Sequence, residues 1–257
     1  MKINTKSNAN RFYRNQIREQ SLKCFHVLVA ETDLCIYANQ DLTNEAYECV
    51  INCRSQLETF IRQHPTFATS LKPWTDIQPA PKIIRRMINA SQYAGVGPMA
   101  SVAGVIAEMV GTKMLQYSDE VIVENGGDLF IHKKQPFIVG IYAGDSPFNN
   151  RIGIHVDSEN ESLSICTSSA VIGHSLSFGM ADAVTIRARS AALADAVATA
   201  TANCVKSKDD ISNAIDFAKK IANVDGVLVL IGDAMGAWGK IEIVPMKRMG
   251  LSISKHA

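Results

Sequence analysis

The sequence contains no uninterrupted apolar run near the roughly 18–20 residues needed to cross a bilayer, and its opening Met1-Lys-Ile-Asn-Thr-Lys-Ser lacks the apolar centre of a secretory signal. Net charge is also nearly absent. Twenty-six Lys and Arg against 25 Asp and Glu leave +1, which gives no field to gather nucleic acid. These absences predict a soluble, cytoplasmic protein with neither a membrane nor a nucleic acid as partner. Cysteine is sparse: Cys24, Cys35, Cys49, Cys53, Cys166 and Cys204 are scattered, with no Cys-x-x-Cys pair and no disulfide framework. Cys49 and Cys53 share a helix face, where a metal or redox role competes with the commoner reading of buried free thiols. No Gly-x-Ser-x-Gly is present, which disfavours a serine hydrolase. Gly95-Val-Gly-Pro98 follows no clear strand and lacks the third glycine of a dinucleotide fingerprint.

What is there is an ordinary globular composition, 47% hydrophobic and 20% charged over 257 residues, enough for one large domain or two intimate lobes. Residues 1–18 are polar and basic and read as a loose arm. Cys24–Ala30 and Leu34–Ala38 read as a hairpin around Glu31-Thr-Asp33, and 42–61 as a helix with Asp41 or Thr43 available to cap it. Pro65, Pro73, Pro79 and Pro81 break the segment after His64 into a loop that is placed to cover a site. Helices are expected over 82–90 and 99–114, and strands over 120–124, 128–131, 137–142, 151–156, 163–166 and 183–187. Helices over 190–206 and 209–222, then strands over 226–231 and 240–244, complete the chain. This order has an approximate two-fold echo and no steady βαβ alternation, which predicts an α+β fold with largely antiparallel sheets and packed helices.

Three segments carry candidate chemistry. In Leu193-Ala-Asp-Ala-Val-Ala-Thr-Ala200, Asp195 and Thr199 lie four apart and share a helix face. A carboxylate among so many alanines costs several kcal/mol unless it is paired or binds a cation, and a hard divalent cation suits an Asp and Thr pair. The competing reading is an exposed Asp195 favoured by the helix dipole. Asn125-Gly126-Gly127-Asp128 ends a strand and offers main-chain amides and a carboxylate to a ligand, but Asn-Gly between apolar strands is also the ordinary signal for a hairpin. The stretch from Cys166 to Asp182 crowds Thr167, Ser168, Ser169, Gly173 and His174 into a loop. His174 there could serve a phosphate or act as an acid or base, or could be structural.

Taken in order, the small-residue helix at Gly97-Pro-Met-Ala-Ser-Val-Ala-Gly104, the Asn-Gly-Gly-Asp turn, Phe137-Ile-Val-Gly-Ile141, Thr167-Ser-Ser169 and Ala194-Asp-Ala-Val-Ala-Thr-Ala200 resemble the ApbE-like superfamily. Its familiar members are magnesium-dependent FAD:protein FMN transferases. The loop Gly173-His-Ser-Leu-Ser-Phe-Gly179 resembles the uncharacterised UPF branch of that superfamily rather than the transferases. The resemblance implies two related lobes like tandem T-fold units with a ligand between them. It also implies a Mg²⁺ or other divalent cation on Asp195, Thr199 and the carbonyl near Ala100. FAD or a related nucleotide would lie against Asn125, Gly126, Gly127, Asp128, Thr167, Ser168 and Ser169, with His174 as the catalytic candidate. An acceptor flavoprotein is the implied macromolecular partner, and an oligomer is compatible with the pattern. The departures are specific. The transferases' Lys-Gly pair is Ala103-Gly104 here, their Thr-Ser-Gly turn is Thr167-Ser168-Ser169, and their His-x-x-Asp-Pro segment lacks the Asp and Pro after His174. FMN-type transfer, FAD hydrolysis and a non-catalytic cofactor carrier therefore all stand as expected functions, with a structural or assembly protein as a further reading.

Overall fold

The computed structural model describes residues 22–76, 79–158, 161–169 and 179–246. The arm at 1–18 and His174 lie outside the described residues. In strand β1 (Lys23–Val29) the apolar residues alternate, so Phe25 and Val27 are buried under helices while Cys24, His26 and Leu28 face the other way. Its partner β2 (Thr32–Ala38) begins earlier than the sequence suggested. Ala30, at φ 50°, closes a two-residue turn, and this leaves Thr32 and Asp33 free to pair with Val29 and Leu28.

Helix α1 (Thr43–Gln63) buries Ala46, Val50, Cys53, Leu57 and Phe60 at spacings of four and three. The N-cap position is held by Leu42, which makes no side-chain cap, so neither Asp41 nor Thr43 is the expected cap. Asp41, one residue earlier, accepts from the Thr43 amide at 3.0 Å and from its hydroxyl at 2.6 Å. The proline-rich segment is not wholly irregular: one short helix, α2 (Thr66–Thr69), buries Phe67 edge-on between Phe60 and Trp74. Helix α3 (Lys82–Ala94) ends where Gly95 turns left-handed.

The single helix expected over 99–114 is divided. Pro98–Ser101 forms a 3₁₀ turn, Ser101 departs from helical geometry, and α4 (Val102–Met114) starts afresh with its first amides aimed at another helix.

Strands β3 (Val121–Asn125) and β4 (Asp128–His132) make a tight hairpin. A smaller pair follows, β5 (Phe137–Gly140) and β6 (Ile152–Val156), and then β7 (Leu163–Ser168) and β8 (Ala183–Ala188) return to the main sheet. Helix α5 (Ala191–Asn203), a 3₁₀ turn into α6 (Ile211–Lys219), and β9 (Val224–Ile231), β10 (Ala234–Gly239) and β11 (Glu242–Pro245) complete the fold. β10 was not foreseen, because Ala-Met-Gly-Ala-Trp-Gly offers an edge strand no sustained apolar signal.

The strands form one eight-stranded antiparallel sheet in the order β1-β2-β3-β4-β7-β8-β9-β10, and a second sheet of β11-β6-β5. The expected echo is visible in this order. Each half is two strands, helices and two strands, and the halves meet where β4 pairs with β7 through Leu129 and Ile165, Phe130 and Ser164, and Ile131 and Leu163. Helices cover one face, α4 over β3 and β4, α5 over β7 and β8, and α3 packs outside both. The other face joins an apolar cluster that includes Val139, Ile141, Ile154 and Val156 of the smaller sheet region. No single helix among the described residues is long and apolar enough to cross a membrane.

Candidate metal and nucleotide site

Alanine richness gives α5 its place. Every residue from Ala191 to Ala202 is buried, and side chains this small let the helix sit against the sheet and against α3 and α4 at once. The approach to α4 is close at Gly104, where a Cβ would fall 2.3 Å from the Ala191 carbonyl oxygen and 2.8 Å from the Asp195 Cβ. Asp195 is therefore not on an outer face, and its exposure is only 9%.

Its carboxylate has a definite partner. Oδ2 accepts from the Gly104 amide at 2.9 Å, and the Ala103 amide also donates to Asp195. These are second- and third-position amides of α4, which lack acceptors within their own helix. The favour is returned by Glu108 of α4, whose Oε2 accepts from the Ser190 hydroxyl at 3.0 Å and from the amides of Ala191 and Ala192 at 2.9 and 3.3 Å. Arg86 pairs with the other Glu108 oxygen at 3.0 Å. The two helices thus cap each other. Glu108→Ala should lower the unfolding free energy by about 2–3 kcal/mol, from loss of the cap and of a partly buried charge pair; a urea midpoint unchanged from that of the unsubstituted chain would contradict this.

The turn Asn125-Gly126-Gly127-Asp128 is both the hairpin and part of the site. Gly126 and Gly127 have φ of 66° and 105°, as a tight turn needs, and Asn125 pairs with Asp128 across it. The Asn125 side-chain amide donates to the Ala103 carbonyl at 3.0 Å, and the Gly127 amide donates to Glu124 Oε1 at 2.9 Å. The turn is thereby tied to the start of α4, the same segment that Asp195 holds.

Asp128, at the start of β4, and Asp195, in α5, are both buried, and the charge of Asp195 acts on Asp128. Burial holds the Asp128 carboxyl well above the usual carboxylate range, and the Asp195 charge pushes it further, while the Cys166 thiol and the Thr167 amide, as hydrogen-bond donors, pull it down. Burial likewise pushes Asp195 up to about 7, against the pull of the Gly104 and Ala103 amides. Cys166 donates to Asp128 through its thiol hydrogen. Its thiol sits 3.5 Å from the Ala191 carbonyl, and burial followed by the charges of Asp128 and Asp195 raises it far out of the reactive range. The groups acting on Asp128 are acidic or neutral: Asp195, Glu124, the Cys166 thiol and the Thr167 amide.

Thr199 is buried one turn along from Asp195 on the same face of α5. Ala100 is half-buried in the 3₁₀ turn, which packs on α5. Thr167 contributes its main chain to the site, because its hydroxyl points to the opposite face and bonds Thr185 at 2.9 Å. Ser168 pairs with Val184 in the sheet, and Ser169 follows the end of β7. Sequence reading gave no site role to Glu108 or Cys166, and named Ala103-Gly104 only as the counterpart of the transferases' Lys-Gly pair. No signal in the sequence pointed to Glu108 or Cys166, whose partners are main-chain groups and a residue of a distant strand.

The continuous antiparallel sheet with helices on one face is an ApbE-like fold. The structure superposes on the flavinyl transferase ApbE of Pseudomonas stutzeri with a TM-score of 0.54 at 12% identity, covering 85% of this chain and 94% of that one. It superposes on the ApbE protein of Thermotoga maritima with a TM-score of 0.52 at 14% identity, covering 84% and 96%. Residues 14–229 match the family model described as AbpE bacteria. A UPF0280 protein of Methanocaldococcus jannaschii is 41% identical over 221 residues, 84% of this chain and 90% of the relative. Another, from Methanospirillum hungatei, is 40% identical over 218 residues, 84% and 87%. The chain belongs to the UPF0280 family, a branch of the ApbE-like superfamily.

Proposed function

We propose that the seam between the two halves binds a divalent cation, Mg²⁺ or one like it, together with FAD or a related nucleotide diphosphate. The observation that carries this reading is Asp195 itself, buried in an alanine-rich helix and held by a main-chain amide, with the buried Asp128 near enough to feel its charge. Two carboxylates in such a setting are stable when a proton or a cation stands between them. The donor set, Asp195, Thr199 and a main-chain carbonyl near Ala100 with Asp128 opposite, is all oxygen and fits a hard ion. Such an ion would neutralise charge on a diphosphate. Thr167, Ser168, Ser169 and the turn from Asn125 to Asp128 then bound the nucleotide, and His174 is the candidate acid or base. The ligand class is taken from the structural neighbours, which are flavin transferases.

Two outcomes of chemistry follow. Transfer would join FMN to a hydroxyl of an acceptor flavoprotein and release AMP, whereas hydrolysis would pass FMN to water. A carrier role without chemistry is favoured by one feature: where the transferases carry lysine, Ala103 here supplies only its backbone, to Asp195 and Asn125. The test is a thermal melt with FAD and Mg²⁺ followed by mass spectrometry of the nucleotide. At about 100-fold excess over Kd the melting temperature should rise by roughly 5–10 °C, and Asp195→Ala should remove the rise. FMN or AMP among the products identifies an enzyme, intact FAD a carrier. No shift with any flavin nucleotide would refute the proposal.

A further inference from the structure

On the sheet face turned away from the helices, a second constellation is built from softer atoms. β1 is the edge strand, and its alternate residues Cys24 and His26 point to the same face as Cys35 and Tyr37 of β2. His26 lies directly opposite Cys35, and Cys24 opposite Tyr37. Cys24 Sγ is 3.5 Å from Cys35 Sγ and 4.0 Å from His26 Nε2, and the three ligand atoms all lie within 4.8 Å of one another. A tetrahedral zinc ion with bonds of about 2.0–2.3 Å sets its ligand atoms about 3.7 Å apart, close to the separations of Cys24 from Cys35 and from His26, so small side-chain adjustments would complete the set. Cys35 is buried and forms the floor, while Cys24 and His26 are exposed at the rim. An ion can enter from solvent, and the fourth position is left to water or an external ligand.

We propose that Cys24, His26 and Cys35 form a binding site for a zinc-type ion, separate from the Asp128 and Asp195 site and on the opposite face of the sheet. Two thiolates and an imidazole select zinc over the hard ion expected at the seam. On binding, both thiols lose their protons to solvent, so the dication and two thiolates are together neutral. The site would tie β1 to β2 through side chains as well as through the backbone ladder.

The test is titration of the reduced, full-length protein with Co²⁺ and no nucleotide. One equivalent should produce thiolate-to-cobalt charge-transfer absorption with the visible bands of tetrahedral coordination, and Zn²⁺ should bleach them. Cys24→Ser and His26→Ala, both at exposed positions, should keep the far-ultraviolet spectrum of the fold and weaken binding by more than about 100-fold, beyond the loss of an outer-shell partner. Cys49→Ser and Asp195→Ala should leave the spectrum intact. The second variant makes this outcome independent of the seam site. Absence of the charge-transfer band, or its loss in Cys49→Ser with retention in Cys24→Ser, would overturn the proposal. So would air oxidation to a Cys24–Cys35 disulfide that proceeds as fast with Zn²⁺ present as without it.

Discussion

Metal-free Asp195→Asn protein is expected to be more stable at pH 8 than the unsubstituted chain, by on the order of 2–3 kcal/mol, and to gain nothing from Mg²⁺. The reason lies in the direction of the Asp195 shift. In the unfolded chain this acid titrates near its ordinary value of 3.8, and in the folded chain burial moves it up to about 7. Below both values the folded and unfolded forms are equally protonated and no penalty exists. Between them the folded protein holds a proton that the unfolded chain has released, so stability falls as pH rises through that window. Above about 7 the loss is complete. Asparagine keeps an oxygen for the Gly104 and Ala103 amides and carries no charge, so the substitution should remove the penalty and flatten the pH profile. A divalent ion should do the same for the natural residue, and its stabilising effect should grow with pH through the same window because binding displaces a proton. Urea unfolding at pH 5, 6, 7 and 8, with and without Mg²⁺, checks both parts. An asparagine variant that is less stable than its parent and still responds to Mg²⁺ would show that Asp195 is only a helix cap.

Gly104→Ala should be strongly destabilising, costing about 3 kcal/mol or more and removing Mg²⁺-dependent stabilisation as well. The new Cβ would sit 2.3 Å from a backbone carbonyl oxygen of α5 and 2.8 Å from the Asp195 Cβ, and neither atom belongs to a flexible chain end. The helices must separate, and the Gly104 amide then leaves the carboxylate it serves. Ala103→Gly, one residue earlier, adds no such clash and serves as the control for a general effect at the start of α4. Equal urea midpoints for Gly104→Ala and its parent would show that α4 can shift without cost.

Much of this was legible in advance, for physical reasons that differ by element. The 3.6-residue period over α1 was plain because that helix has one wet face, and the β3–β4 turn was plain because Asn-Gly-Gly-Asp permits little else. Helix α5 was legible by composition, since so many alanines demand burial and a buried aspartate demands a partner. What could not be read was the partner itself. Main-chain amides carry no sequence signature, and the meeting of Asp128 with Asp195 depends on the pairing of β4 with β7 across a long separation. The divided helix at Ser101 and the glycine-rich β10 escaped for a similar reason, because tertiary contacts rather than local preference decide them. Cys24, His26 and Cys35 stand on two strands, and only their cross-strand register brings them together.

The reciprocal capping of α4 and α5 also bears on how the molecule assembles. Glu108 belongs to the first half of the sheet and closes a helix of the second, while Asp195 belongs to the second and closes a helix of the first. Produced as separate fragments, either half would carry a helix end with bare amides and an acid with no donor. Each half is therefore a poor folding unit alone, and the chain should cross its barrier with the seam already formed, so that the pocket is an early product of folding and not a late adjustment.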